Sequence, residues 1–132
     1  MFAKITPCME NGKAAIVPEL VGGFGFGSTE FHVLRSTEHL HKAWLLGFVR
    51  REAFRHQAKL NFSGTAGQQR VPTEYLKTLN VPVPDFKTQI AFAQALEQIR
   101  SIQSQQSVAT GIAQATFDAL LSQVFAKTNN MS

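Results

Sequence analysis

The chain has 132 residues, 44% of them hydrophobic and 17% charged, which suits a single folded unit and excludes a disordered or fibrous composition; its apolar runs are all well short of the roughly 20 residues that span a bilayer. With no basic segment leading into a long apolar stretch at the N-terminus, no signal peptide is visible and the cytoplasm is the expected location, while the lone Cys8 excludes an internal disulfide or a cysteine-built zinc site and reads as a small buried residue. The net charge of +4 is unevenly placed: residues 1–84 carry ten Lys/Arg against six Asp/Glu and residues 85–132 carry three against three, so the whole excess lies in the first part, as suits a polyanionic partner.

Along the chain, "MFAKITPCM" and "ENGKAAIV" read as two strands joined by a tight turn at Asn11-Gly12, a predicted hairpin. "GGFGFGSTEF" follows. It is not a phosphate cradle: Gly22 and Gly27 have the spacing of a P-loop's outer glycines, but Ser28 stands where the lysine belongs, and no glycine completes a GxGxxG from Gly23 or Gly25. "FGFGSTEFHVLR" instead alternates Phe31, Val33 and Arg35 with Glu30, His32 and Leu34, the pattern of a strand with a glycine-rich approach.

From Thr37 to about Leu60 the spacing predicts helix, capped by Thr37 or Ser36 and periodic in Leu40, Trp44, Leu45, Phe48 and Val49, with a break near Gly47–Arg51 that divides it in two. Its second half carries the basic run Arg50, Arg51, Arg55, His56 and Lys59, either a solvated face or a set of phosphate contacts. "NFSGTAGQQRV", residues 61–71, is a loop of hydrogen-bonding groups without an acid. It is either a plain surface connection or a donor of hydroxyl, amide and guanidinium groups to a nucleic acid.

Pro72 marks a short helical turn through Leu79, and Val81-Pro82-Val83-Pro84 is an extended exit from the globular unit. From about Thr88 to Phe125 there is no proline and one glycine, Gly111, which predicts a helix of up to 38 residues, roughly 57 Å long. Its apolar seam runs through Phe92, Leu96, Ile99, Phe117, Leu120 and Val124, with Gln103, Gln106, Thr110 and Ala113 between. Such a stripe needs another long helix to cover it, and this sequence holds no second one.

No catalytic constellation is visible. Pro84-Asp85 begins like a nuclease metal signature that Glu97-Gln98-Ile99 fails to complete for want of a lysine, no Asn/Asp-Pro-Pro-aromatic motif for base methylation occurs, and His32, His39, His41 and His56 form no HExxH. The histidines read as exposed or capping residues. Binding is the expected class, with no catalytic residue, no metal and no cofactor.

Several blocks taken in order, "FAKITPCMENGKAAIV", "GFGSTEFHVLR", "GTAGQQRVP", "LKTLNVPVP" with Gln89 after it, and "ALLSQVFAK", resemble a target recognition domain of the specificity subunit of type I restriction-modification enzymes. The resemblance covers nearly the whole chain. It implies a DNA sequence-reading domain followed by a spacer helix; in that family two such domains are held apart by antiparallel spacer helices, each reads half of a split target, and the helices receive the modification (methyltransferase) subunits. Met1 falls inside the first domain's pattern, so the chain is expected to be the C-terminal part of such a subunit.

The expected architecture is α+β: residues 1–84 a partial target recognition domain of mixed strands and helices, residues 85–132 a long helix packing as an antiparallel coiled coil with a partner helix. On the resemblance, Lys4, Thr6, Asn11 and Lys13 near the hairpin and Ser63, Thr65, Gln68, Gln69 and Arg70 in the polar loop are expected to face double-stranded DNA, with Arg50, Arg51, Arg55 and Lys59 adding phosphate attraction; Ser28 or Thr29 is a further candidate phosphate contact. The expected partners are the modification subunit and either a second copy or another specificity-subunit half through the long helix, without a membrane. The alternative is a helix-mediated assembly module, or a truncated remnant without specific DNA binding of its own.

Overall fold

A computed structural model of the chain describes residues 1–65 and 67–129, the last three of these by backbone alone. The element order is β1 (Phe2–Ala3), β2 (Phe31–His32), α1 (Lys42–Arg50), α2 (Glu52–Leu60), α3 (Thr73–Lys77) and α4 (Phe86–Asn129), with a 3-10 turn at Val21–Gly23. It is a mixed structure, a two-stranded antiparallel sheet with helices and one long C-terminal helix. Contacts divide it into a unit Met1–Ala93 and a second from Gln94 onward.

The first unit is built from short pieces that share one core. Ala43, Leu46 and Val49 recur every three residues on α1, and Phe54 and Ala58 lie four apart on α2, so each helix buries a single stripe. Val49 of the first stripe and Phe54 and Ala58 of the second meet Phe2, Met9 and Val71 in a core cluster, against which Leu34, Phe48, Tyr75, Leu76 and Leu79 pack. The expected division of the helical stretch falls at Arg51, whose extended ψ of 136° cannot continue α1.

Three local expectations are corrected. The helix does not begin at Thr37: residues 37 and 40 close a tight turn, His41 is the cap, and its ring accepts the Ala43 N–H at 3.1 Å. The reason is long-range, because the Gln89 side chain takes the His41 N–H at 2.8 Å and holds that backbone extended. The hairpin at Asn11-Gly12 is not a two-residue turn. The chain reverses through a helical turn over Ile5–Gly12 before Ala14 bridges back to Phe2, and Gly12 carries the positive φ of 66° with Arg55 against its Cα. The strand over Phe31–Arg35 is paired only at Phe31–His32, although its alternation survives: Val33 is exposed and Leu34 packs on the core.

Helix α4 starts where a side chain caps it. Asp85 accepts the Thr88 N–H at 2.8 Å and the Thr88 hydroxyl at 2.9 Å, and these bonds hold its carboxyl below the usual aspartate range. Pro84-Asp85, which imitates the start of a nuclease signature, is thus a helix cap. Gln89, fully buried one turn on, also donates to His39 O at 3.0 Å and Pro84 O at 2.9 Å. Trp44 donates to Pro82 O at 2.8 Å and stacks edge-on against Phe92, which lies so close over Gly47 that a Cβ there would be 2.7 Å from the ring.

From Gln94 the helix runs without interruption, Gly111 included; all 44 residues of α4 amount to about 66 Å. Local bonds support it, such as Gln114 to Asp118 one turn on at 2.9 Å. Leu96 is half-buried, and Ile99, Phe117 and Leu120 are exposed. The apolar residues are not confined to one seam: Ile102, Val108, Ile112, Leu121 and Phe125 are exposed as well, and at 100° per residue Val108 and Ile112 lie opposite the seam.

Candidate nucleic-acid interface

The polar loop is closed by its own ends. Ser63 and Arg70 exchange backbone hydrogen bonds at 3.0 and 2.9 Å, and Gln68 N–H reaches Thr65 O at 3.0 Å. Gly64 permits the bend, with φ at +112° and Gln68 O where a Cβ would come within 2.8 Å. The loop is also tied to the N-terminal segment, since Thr6 N–H donates to Gln69 O and Val71 N–H to Lys4 O. Lys4, Thr6, Ser63, Thr65, Gln68, Gln69 and Arg70 therefore form one patch, although some sixty residues separate its two contributing segments.

Arg70 organises that patch. Its guanidinium takes both Glu30 carboxylate oxygens, Nε to Oε2 at 2.9 Å and Nη2 to Oε1 at 2.8 Å, while Nη1 holds Gln68 O at 2.7 Å. The Arg70 hydrogen bonds, helped by the charges of Arg70 and Lys4, hold the Glu30 carboxyl below the ordinary glutamate range; the same pairing raises Arg70. Glu30 also anchors through its backbone, accepting the Lys4 N–H at 3.0 Å. Next to it, the His32 ring bonds Val71 O at 2.8 Å. With the loop's backbone committed to these bonds, Thr65 and Gln68 are left with exposed side chains, Ser63 also exposed and Gln69 half-buried.

The other predicted residues fall into two further groups. Arg55 donates to Glu10 O, its Nε is buried with no partner among the described residues, and Lys59 pairs with the Glu10 carboxylate, so both serve the Ile5–Gly12 turn; Asn11 stands exposed on that turn and Lys13 exposed just after it. Arg50 and Arg51 are exposed at the α1–α2 junction, and neither forms an ion pair among the described residues. Ser28 and Thr29 are exposed, Ser28 capping the Glu30 N–H at 3.1 Å. Cys8 is half-buried. Of the predicted helix-interface residues, Phe92 is already engaged by Trp44.

Sequence reasoning missed Glu30 and the structural role of Gln89. The acid left no sign, because nothing local marks a carboxylate whose partner is 40 residues away. The patch holds donors, acceptors and the positive charge of Lys4, with that of Arg70 paired to Glu30; among the described residues no group of three His, Cys, Asp or Glu side chains is placed to hold a metal.

Comparison with known proteins bears out the resemblance. The chain is 33% identical over 125 residues, 91% of its length, to the type I restriction enzyme EcoAI specificity subunit of Escherichia coli. It is 38% identical over 84 residues, 63% of its length, to the type I restriction enzyme EcoEI specificity subunit of the same organism. It spans only 21% and 14% of the length of those two relatives. No protein-family profile matches the chain, and no solved structure matches it.

Proposed function

We propose, on the premise that this chain is homologous to a segment of type I restriction enzyme specificity subunits, that it is a non-catalytic DNA-recognition component of a restriction-modification system, acting in the cytoplasm. Residues 1–84 form part of a target recognition domain and residues 85–132 a spacer helix, with double-stranded DNA as ligand and a methyltransferase subunit as partner. No described helix is long and apolar enough to cross a membrane.

The observation that carries this reading is the braced loop. Reading bases requires side chains held at fixed positions by groups that do not themselves touch the bases, and the Glu30–Arg70–Gln68 brace does this for Thr65 and Gln68. Gln68, whose amide can pair with adenine, is the principal base-reading residue, with Thr65 and Ser63 beside it. Lys4, Lys13, Arg50 and Arg51 supply phosphate attraction. Arg70, Arg55 and Lys59 shape the surface first and contribute charge second. Selecting this chain against random duplex DNA tests the reading: a short fixed motif that persists at physiological salt is expected, and recovery of unselected DNA that washes off with salt overturns it.

A second reading concerns assembly, and one feature of the helix favours it. The seam is symmetric about Val108: Leu96 and Leu120 lie twelve residues to either side, Ile99 and Phe117 nine, and between them Gln103 faces Ala113 and Gln106 faces Thr110 at equal offsets. Two copies laid antiparallel through the seam, with the two-fold axis at the level of residue 108 and Val108 itself on the outer face, would bring Leu96 against Leu120 and Ile99 against Phe117. A homodimer through this helix is therefore the favoured assembly.

A further inference from the structure

A cleft of about 1190 Å³ opens in the Met1–Ala93 unit, lined by residues 15–20 and 23–28, by Phe31 and Val33–Ser36, and by Leu45, Leu46 and Val49 of α1. Leu46 and Val49 are core residues, so the cleft reaches the hydrophobic core. Beside it the chain exposes large apolar side chains: Val21 and Phe26 are entirely exposed, Phe24 is 69% exposed and Val33 57%. Phe24, Phe26 and Val33 all line the cleft, and exposed large apolar side chains gathered at one cleft mark a contact face.

The backbone bordering the cleft is open too. Among the described residues, neither Ile16–Glu19 nor Val33–Ser36 makes a backbone–backbone hydrogen bond, and both stretches lie outside helices and strands. A ligand with a backbone of its own can meet those groups, whereas a lipid or a small apolar molecule cannot. The charged side chains lining the cleft are Arg35 and Lys42 against Glu19, with the Met1 ammonium nearby, an excess that favours an acidic flank on the occupant.

We propose that this cleft receives an extended apolar segment of specificity-subunit polypeptide with an acidic flank, drawn from sequence of the kind the relatives carry outside the matched stretch. The E. coli relatives supply the scale, since the matched stretch is only 21% and 14% of their length. The occupant's side chains meet Leu46, Val49 and Val33, its backbone pairs along Ile16–Glu19 or Val33–Ser36, and the loop carrying Phe24 and Phe26 closes on it. The proposal rests on the recognition-domain reading above and places its missing contacts.

The test uses the full chain, isotope-labelled on its methyl groups, and overlapping peptides covering the EcoAI specificity subunit outside the matched stretch. Neighbouring peptides from one region should shift the Val33, Leu34, Leu46 and Val49 methyls, and Val33→Asp or Phe26→Asp should weaken their binding by about tenfold or more. Both substitutions are at exposed positions, so an unchanged amide spectrum will show that each variant is folded. The proposal is overturned if no peptide moves those methyls, if binding is equal in both variants, or if the cleft residues instead mediate a self-association that Val33→Asp abolishes, which would assign the face to a second copy. DNA selection on the same samples separates the two ideas: loss of sequence preference strikes the recognition reading, whatever the peptides do.

Discussion

The unit Met1–Ala93 and the helical stretch from Gln94 are specified in opposite ways. In the first, no element exceeds nine residues before α4 begins, and order comes from polar clamps between distant positions: Gln89 to His39 and His41, Arg70 to Glu30, Trp44 to Pro82, Arg55 to Glu10. In the second, residues bond within a turn of themselves and expose their apolar side chains. The proposed function accounts for the contrast: a surface that reads DNA has to hold particular side chains still, which needs long-range bracing, whereas a spacer needs only length and a face for a partner. Substitutions should therefore separate the two.

The largest effect is expected in the helix. Replacing Leu96 and Leu120 together by Asp should abolish dimerisation in sedimentation analysis while leaving the near-ultraviolet signal of Trp44 unchanged; a persisting dimer would mean that the Val108-centred seam is wrong. Next comes Gln89→Leu, which strands the His41 N–H and the carbonyls of His39 and Pro84, and should cost about 3 kcal/mol in urea unfolding of the first unit without loss of dimer. Gly47→Ala forces Phe92 aside and should cost about 1–2 kcal/mol, with a visible change in Trp44 fluorescence.

The smallest effect concerns acid. Glu30 and Asp85 both have folded pKa values below their ordinary ones, so the stability they add is fully present above those ordinary values and is lost as pH falls through the folded ones. Glu30→Gln should leave the first unit folded at neutral pH and reduce the steepness of its acid transition below about pH 4.3. It should also loosen amide protection at Gln68. An acid transition unchanged by the substitution would remove Glu30 from the brace.

What was legible in the sequence was what is written locally. Pro72 opens α3, the absence of proline after Pro84 marks α4, and the three- and four-residue spacing of Trp44, Leu45, Phe48 and Val49 marks α1. Thr37 failed as a cap although its chemistry was right, because the residue that decides where α1 begins is Gln89, 48 positions away from His41. The polar loop was legible as a loop and as a set of suitable side chains. Its brace was not, since Glu30 reads only as one member of an alternating strand. Arg55 and Lys59 looked like free cations for the same reason: in sequence nothing ties them to Glu10 on the far side of two turns.

The claim that the braced loop reads bases is tested most directly at Gln68, whose exposed amide does no packing of its own. Affinities of the unaltered chain and of Gln68→Ala should be measured at physiological salt on the duplex recovered by selection and on a random one. The account predicts about a tenfold loss on the selected duplex and almost none on the random one. Equal losses on both, or none on either, would contradict it.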